Sequence, residues 1–223
     1  MPSHTIENYV KTIYRICVRR DNRPAATGEV AEALDVSPGT VTSMLITLKD
    51  AGLAEYKPYE GVRLTEAGRT LALRVLRRHR LIELFLATTL NLTWDEVHDE
   101  AENMEHAASD LLVDRIDEYL GFPDADPHGD PIPRADGTVA TTAGRSLAKW
   151  NVGDEFRLVR VLDQSPEFLR YLSDAGLSLG AEGCVSANHK AAGIVSVSVA
   201  GSERTLALEV AEKLLVAPPE SLD

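Results

Sequence analysis

Apolar positions recur with helical spacing from the start of the chain. Ile6, Tyr9, Val10, Ile13, Tyr14 and Cys17 form one stripe over Glu7 to Val18, closed by Arg19-Arg20-Asp21-Asn22 and Arg23-Pro24. A short helix follows, with Thr27 at its N-cap and Val30, Ala31 and Leu34 inward. Ser37 as N-cap with Pro38 in the first helical position opens a third helix. It runs from Thr40 to Ala51 with Val41, Leu45 and Leu48 inward, and Gly52 stops it. Leu53 to Tyr56 and Val62-Arg63-Leu64 read as short strands around the turn Pro58-Tyr59-Glu60-Gly61. Thr65-Glu66-Ala67-Gly68 starts a long helix, apolar at Leu71, Leu73, Val75, Leu76, Leu81, Leu84, Phe85 and Leu86, with Arg74, Arg77, Arg78 and Arg80 among them. Thr93-Trp94-Asp95-Glu96 has the form of a capping box at the head of the next helix. Ala107 to Leu120 reads as its continuation, ended by Gly121-Phe122-Pro123.

The period then changes. Residues 123–153 are rich in Pro, Gly, Asp and Thr and read as a boundary and linker. Phe156 to Val161, Glu182 to Val185, Gly193 to Val199 and Thr205 to Leu208 read as strands, with Leu214-Leu215-Val216 closing the set. A short helix from Glu167 to Ala175 interrupts them. The expected class is mainly α with a C-terminal all-β domain in the form of a small barrel.

Two short helices, a tight connection and a third helix with Ser37, Pro38, Gly39, Thr40, Thr42 and Ser43 at its outer start describe a helix-turn-helix. The hairpin that follows makes the module winged, so Lys57, Tyr59 and Arg63 can reach phosphate or the minor groove. A small three-helix bundle without DNA would share the first part of this pattern. The charge distribution favours DNA. The net charge is −12, yet residues 1–80 hold 13 Lys and Arg against 9 Asp and Glu, whereas the rest holds 10 against 26. Apolar content of 44% and charged content of 26% are those of a soluble globular protein. No apolar run approaches the roughly 20 residues of a membrane span, and the N-terminus lacks a signal-peptide pattern, so a cytoplasmic location is expected. Cys17 and Cys184 are isolated, as for reduced thiols with no Cys-rich zinc motif.

The densest chemistry is His98-Asp99-Glu100-Ala101-Glu102-Asn103-Met104-Glu105-His106. On a helix, His98, Glu102, Glu105 and His106 fall within an arc of about 100°. Two imidazoles and two carboxylates on one face form a donor set for a divalent cation. His79 and Glu83, one helical turn apart upstream, form a second His–carboxylate pair. A solvated acidic helix is the competing interpretation. His4, His128 and His189 have no partners at ligand spacing and read as surface or structural.

The order of parts resembles the diphtheria toxin repressor family of metal-activated transcription regulators. The residues that carry the resemblance are Tyr9 to Tyr14, Ser37 to Leu53, Arg78-His79-Arg80-Leu81-Ile82-Glu83, Val97 to His106, and Pro127-His128-Gly129-Asp130-Pro131-Ile132-Pro133. The resemblance implies a winged helix-turn-helix DNA-binding domain over 1–75, a helical metal-binding and dimerisation domain over 76–140, and an SH3-like (FeoA-like) barrel over 154–218. It implies one metal site from His79, Glu83 and His98, and a second, regulatory site from Glu102, Glu105 and His106. The regulatory site takes a further group from the first helix. That position is usually Met in iron-responsive members and Asp in manganese-responsive ones. Here it is Asn8, which offers a carbonyl oxygen without charge. Lys11 stands where some manganese sensors place a second carboxylate, which argues against a dinuclear site of that layout. The barrel of longer members can lend ligands from a strand-to-helix turn, which here offers Glu167 and Gln164; the same turn can equally be a helix cap.

Glu102 in place of a thiolate suits Mn(II), with Fe(II) as the alternative and Co(II), Zn(II) or Cd(II) able to bind in vitro. The expected partners are a palindromic double-stranded DNA operator and a second copy of the chain, with no membrane and no small-molecule substrate. The expected mechanism has Asp99, Glu100, Glu102 and Glu105 repelling one another until a metal ties the first helix down. A metallo-hydrolase is the reading from another class. It finds no His-Glu-x-x-His run or nucleophile motif, so no enzyme is expected. A winged-helix regulator whose acidic helix is only a dimer surface is the remaining alternative.

Overall fold

In the computed structural model, residues 3–140 and 144–219 are described, and they divide into two compact units. The first takes the chain up to His79 together with Glu105–Ala108 and Pro133–Val139. The second takes Arg80–Met104, Ser109–Ile132 and the chain from Ala140 onward.

The first unit holds α1 (His4–Arg19), α2 (Thr27–Ala33), α3 (Pro38–Asp50), the hairpin β1 (Ala54–Lys57) and β2 (Gly61–Leu64), and the first half of α4 (Glu66–Leu90). Ser3 caps α1, its Oγ accepting from the Ile6 amide. The second helix is capped differently from the expectation at Thr27. Ala26 is the N-cap, and its N–H donates to the Glu29 carboxylate at 2.7 Å. Ser37 caps α3 as its position before Pro38 predicts, accepting from the Thr40 amide at 3.1 Å. The apolar stripes of the three helices meet in one core of Tyr9, Val10, Ile13, Val30, Val41, Leu45, Leu48, Val62 and Ala72. Ala25 and Val62 exchange backbone hydrogen bonds of 2.9 Å, which ties the hairpin to the segment before α2.

The second unit holds the rest of α4, most of α5 (Val97–Glu105), α6 (Asp110–Tyr119) and a six-stranded antiparallel sheet. Its strands are β3 (Arg145–Ser146), β4 (Glu155–Val161), β5 (Glu182–His189), β6 (Ile194–Val199), β7 (Ser202–Ala207) and β8 (Leu214–Ala217), in the order β3-β8-β4-β5-β6-β7. Two short helices, α7 (Pro166–Asp174) and α8 (Leu208–Glu212), complete it. Alternate residues of β4 and β6 bury Phe156, Leu158, Val195 and Val197 with Leu169, Leu172 and Leu214.

Two further local expectations change. The continuous helix through Ala107 to Leu120 is broken: α5 ends at Glu105, and Ser109 caps a separate α6, its Oγ accepting from the Leu112 amide at 3.2 Å. A serine side chain competes for backbone donors and so favours a new start over a helix interior. The last hairpin strand begins earlier, at Ser202, and stops at Ala207, where α8 begins. Among the described residues no helix is long and apolar enough to cross a membrane.

Candidate metal centre

In the first unit, acidic and basic groups meet in an apolar setting. Glu105, the last residue of α5, is wholly buried. Its Oε1 accepts from Lys11 Nζ and its Oε2 lies against His79 Nδ1, each at 2.7 Å. Burial pushes the Glu105 carboxyl up, but the hydrogen bond and charge of His79 and the Lys11 ammonium outweigh it and hold it below its ordinary value. His106 lies just past the helix end, where its Nδ1 reaches Glu7 Oε2 on α1 at 2.7 Å. Arg78 approaches the other Glu7 oxygen at 3.7 Å. Two polar atoms of this cluster, Asn8 Oδ1 and His106 Nε2, are buried with no hydrogen-bond partner.

In the second unit, Glu83 Oε1 lies 3.2 Å from His98 Nδ1. Glu83 Oε2 lies 3.9 Å from Nδ1 of His128, and that nitrogen is 3.8 Å from Asp126 Oδ1. Ligand atoms of Glu83, Asp126 and His128 all lie within 4.8 Å of one another, and all three residues are buried. The loop that carries them is built by Asp126, whose Oδ1 accepts from the amides of His128 and Asp130 at 2.8 and 2.9 Å. Gly129 within it has φ +83, and a Cβ there would stand 2.1 Å from the Val159 carbonyl oxygen. His128 Nε2 lies 2.7 Å from the Trp94 carbonyl oxygen. A carbonyl only accepts, so in the neutral ring Nε2 carries the proton and Nδ1 presents a lone pair; that Nδ1 is buried without a hydrogen-bond partner. Burial, with Asp130 and Glu83 nearby, pushes the Asp126 carboxyl up to about 7.

The nine residues proposed from sequence as metal donors are thus distributed. Glu105 and His79 meet in the first unit, where His106 binds Glu7 and Asn8 is half-buried. His98 meets Glu83 in the second. Glu102 is half-buried on α5, one turn before Glu105. Gln164 turns its amide to Asp130 at 3.3 Å, and Glu167 is exposed in the first turn of α7. The expected mutual repulsion is not the arrangement found: Asp99 and Glu100 are exposed, whereas Glu105 is paired with Lys11 and His79. Glu7, Asp126 and His128 were not among the proposed donors. His128, expected at the surface or in a structural role, is wholly buried against Glu83 and Asp126. The signal for Glu7 was a carboxylate four residues before Lys11, beside Ile6 and Val10 of the apolar stripe.

A cation fits both clusters. Each presents buried nitrogen or oxygen atoms that no protein group satisfies, and the donors are imidazole, carboxylate and amide. The thiols lie elsewhere, Cys17 against the Val62 carbonyl and Cys184 on β5.

The other candidate surface is on α3 and the hairpin. Ser37, Pro38, Gly39, Thr40 and Ser43 are exposed and Thr42 is half-buried. The hydroxyls of Thr42 and Ser43 donate to the Pro38 and Gly39 carbonyls at 2.9 and 3.1 Å. Lys57, Tyr59 and Arg63 are exposed on the hairpin, Tyr59 at φ +67 on its tip. A cleft of about 850 Å³ lies between α3 and the hairpin, lined by Thr42, Ile46, Lys49, Tyr56 and Tyr59.

A winged helix-turn-helix in a chain with two buried imidazole–carboxylate clusters defines a metal-responsive DNA-binding regulator. Comparison with known proteins gives the particular family. Residues 1–62 match the N-terminal DNA binding domain of iron dependent repressors, 65–134 their metal binding and dimerisation domain, and 145–218 the FeoA domain. The diphtheria toxin repressor of Corynebacterium glutamicum is 30% identical over 188 residues, covering 80% of this chain and 82% of that protein. The iron-dependent repressor IdeR of Mycobacterium tuberculosis strain H37Rv is 36% identical over 129 residues, which span 58% of this chain and 55% of that repressor. A solved manganese-dependent transcriptional repressor in complex with manganese is 39% identical with a TM-score of 0.85, covering 96% of this chain and 99% of that one. The chain belongs to the diphtheria toxin repressor family of metal-dependent transcriptional repressors.

Proposed function

We propose that this chain is a homodimeric repressor activated by Mn(II), which binds a palindromic DNA operator and controls metal-ion homeostasis. The observation that carries the choice of metal is the donor chemistry: both clusters offer only nitrogen and oxygen, and neither contains a thiolate. Fe(II) is the alternative, since the same donors serve it and affinity order alone does not separate the two.

We read the donors as two sets. Glu83, His98, Asp126 and His128 form one, on the second unit. Glu105 and His106 with Asn8 and His79 form the other, on the first unit. Glu102, one turn earlier on α5, is a further proposed donor. When bound, a divalent cation supplies positive charge and fixed coordination to these groups. The chain's own residues do the rest. Glu7 accepts the Nδ1 proton of His106 and so turns the Nε2 lone pair toward Glu105, 3.4 Å away. Because Glu7 and Asn8 lie on α1 and Glu105 ends α5, this set links the first helix to the helix that ends in the cluster.

The reading head is the start of α3, where short hydroxyl side chains favour thymine-methyl contacts and DNA shape over an arginine–guanine fork. Lys57, Tyr59 and Arg63 hold the backbone from the wing. Leu111, Leu112, Tyr119 and Phe122 are exposed on and just after α6, which supports a second copy of the chain covering that face. The domains are proposed as 1–75 for DNA, 76–140 for metal and dimerisation, and 154–218 for the barrel.

The test is DNA binding against metal. Fluorescence anisotropy with DNA from upstream of the protein's own gene should show binding that needs Mn(II), is lost in excess chelator and falls steeply with salt. Equal binding in excess chelator overturns activation. Activation by Fe(II) at lower free concentration than Mn(II) moves the reading to the alternative metal.

A further inference from the structure

Lys11 is a lysine 4% exposed, on α1, with its ammonium 2.7 Å from a carboxylate that is itself wholly buried. Burying an ammonium is expensive unless a fixed counter-charge meets it, and breaking such a pair leaves the other charge uncompensated. The pair joins residues 94 positions apart, from the middle of α1 to the last residue of α5. The same helix buries Tyr9, Val10 and Ile13 in the core shared with α2, α3 and the hairpin. Whatever holds Lys11 therefore holds the frame of the DNA-reading module. The other Glu105 oxygen is held by His79, so each carboxylate oxygen has a protein partner.

We infer that Lys11 is a tethered counter-cation of Glu105: it fastens α1 to the end of α5 in the metal-free protein and sets the affinity with which the Glu105–His106 donors take a metal ion. This rests on the metal-activated reading above only for its second half. A divalent cation bound by Glu105 shares that carboxylate with a fixed positive charge, and like charges at this range oppose one another. Lys11 thus does two opposite things. It lowers the amount of ordering left for the metal to do, and it weakens the metal's hold.

The test uses the full chain and its Lys11→Met and Lys11→Arg variants. Hydrogen exchange of α1 amides is first measured in chelator, with no metal and no DNA. Lys11→Met should exchange at least about tenfold faster than wild type there, because Glu105 loses its counter-charge, while Lys11→Arg stays near wild type. Mn(II) should restore the protection in Lys11→Met. Titration calorimetry with MnCl2 should then show binding about tenfold tighter at one site of Lys11→Met, the size of effect one neighbouring charge has on an ionisation. Unchanged α1 exchange in chelator overturns the tether, and unchanged or weaker Mn(II) binding overturns the effect on affinity. The exchange arm needs neither metal nor DNA, so its failure is distinct from a failure of metal activation. If Lys11→Met does not fold by circular dichroism, the wild-type lysine ammonium resonance decides. A slowly exchanging Nζ signal in chelator supports the pair, and only rapidly exchanging signals overturn it.

Discussion

The carboxylate of Glu7 lies 2.7 Å from Nδ1 of His106, 99 positions further along the chain. A carboxylate accepts, so in the neutral ring the proton sits on Nδ1 and Nε2 is left with its lone pair, buried and without a hydrogen-bond partner. Glu7 is therefore a positioning residue for the imidazole proposed as a metal donor. Glu7→Gln can present its amide N–H in place of the acceptor and reverse the tautomer. It should weaken Mn(II) binding at this set by about 10–100-fold, the usual cost of losing the group behind a histidine ligand. Calorimetry with circular dichroism as the control for folding measures it, and wild-type affinity in this variant would remove Glu7 from the site.

Asp126 gives the second cluster a pH dependence. Its unfolded value is near 3.8 and its folded value about 7. Between these the folded protein keeps a proton that the unfolded chain has released, so stability falls as pH rises through that window. A cation must displace that proton, so metal affinity should rise over the same range and binding should release protons below about pH 7. Thermal melts in chelator should therefore drop from pH 5 to pH 8 by more in wild type than in Asp126→Asn. Parallel pH profiles for the two proteins would show that Asp126 does not carry the effect.

The start of α3 should carry DNA affinity without touching metal. Thr40→Ala and Ser43→Ala each remove a hydroxyl from the exposed face, where Thr40 Oγ1 lies 2.8 Å from Ser37 Oγ. Each should weaken operator binding by about three- to tenfold, the equivalent of one net hydrogen bond, with Mn(II) binding unchanged. If both variants bind as wild type does, the reading helix has been misassigned.

Gly129 should tolerate no side chain. Its φ is +83, and a methyl group added there would run into the Val159 carbonyl, which is backbone and cannot swing aside as a flexible side chain would. Gly129→Ala should cost about 1–3 kcal/mol or more in denaturant unfolding, as overpacking does. It should also weaken metal binding at Glu83, Asp126 and His128, since the loop positions two of the three. A stable Gly129→Ala with intact metal binding would mean that this loop moves easily.

Local pattern determined a large part of this protein. The stripe over Tyr9, Val10 and Ile13, the Ser37-Pro38 start and the alternation through Phe156 and Leu158 are short-range signals, because helix and strand periods and caps are written within a few residues. The clustering of His79, Glu83, His98, Glu102, Glu105 and His106 was legible for the same reason, as spacing on helices. Tertiary structure decided which of these groups meet. His98 and His106, eight residues apart, go to different partners, Glu83 in one unit and Glu7 in the other. The helix ends at Glu105 and Ser109 begins another, so the single four-residue face expected on one helix is divided. Glu7, Lys11, Asp126 and His128 enter only because folding brings distant segments together. Burial turns such groups into partners, since a charge removed from water must find its counter-charge or donor wherever the chain supplies one.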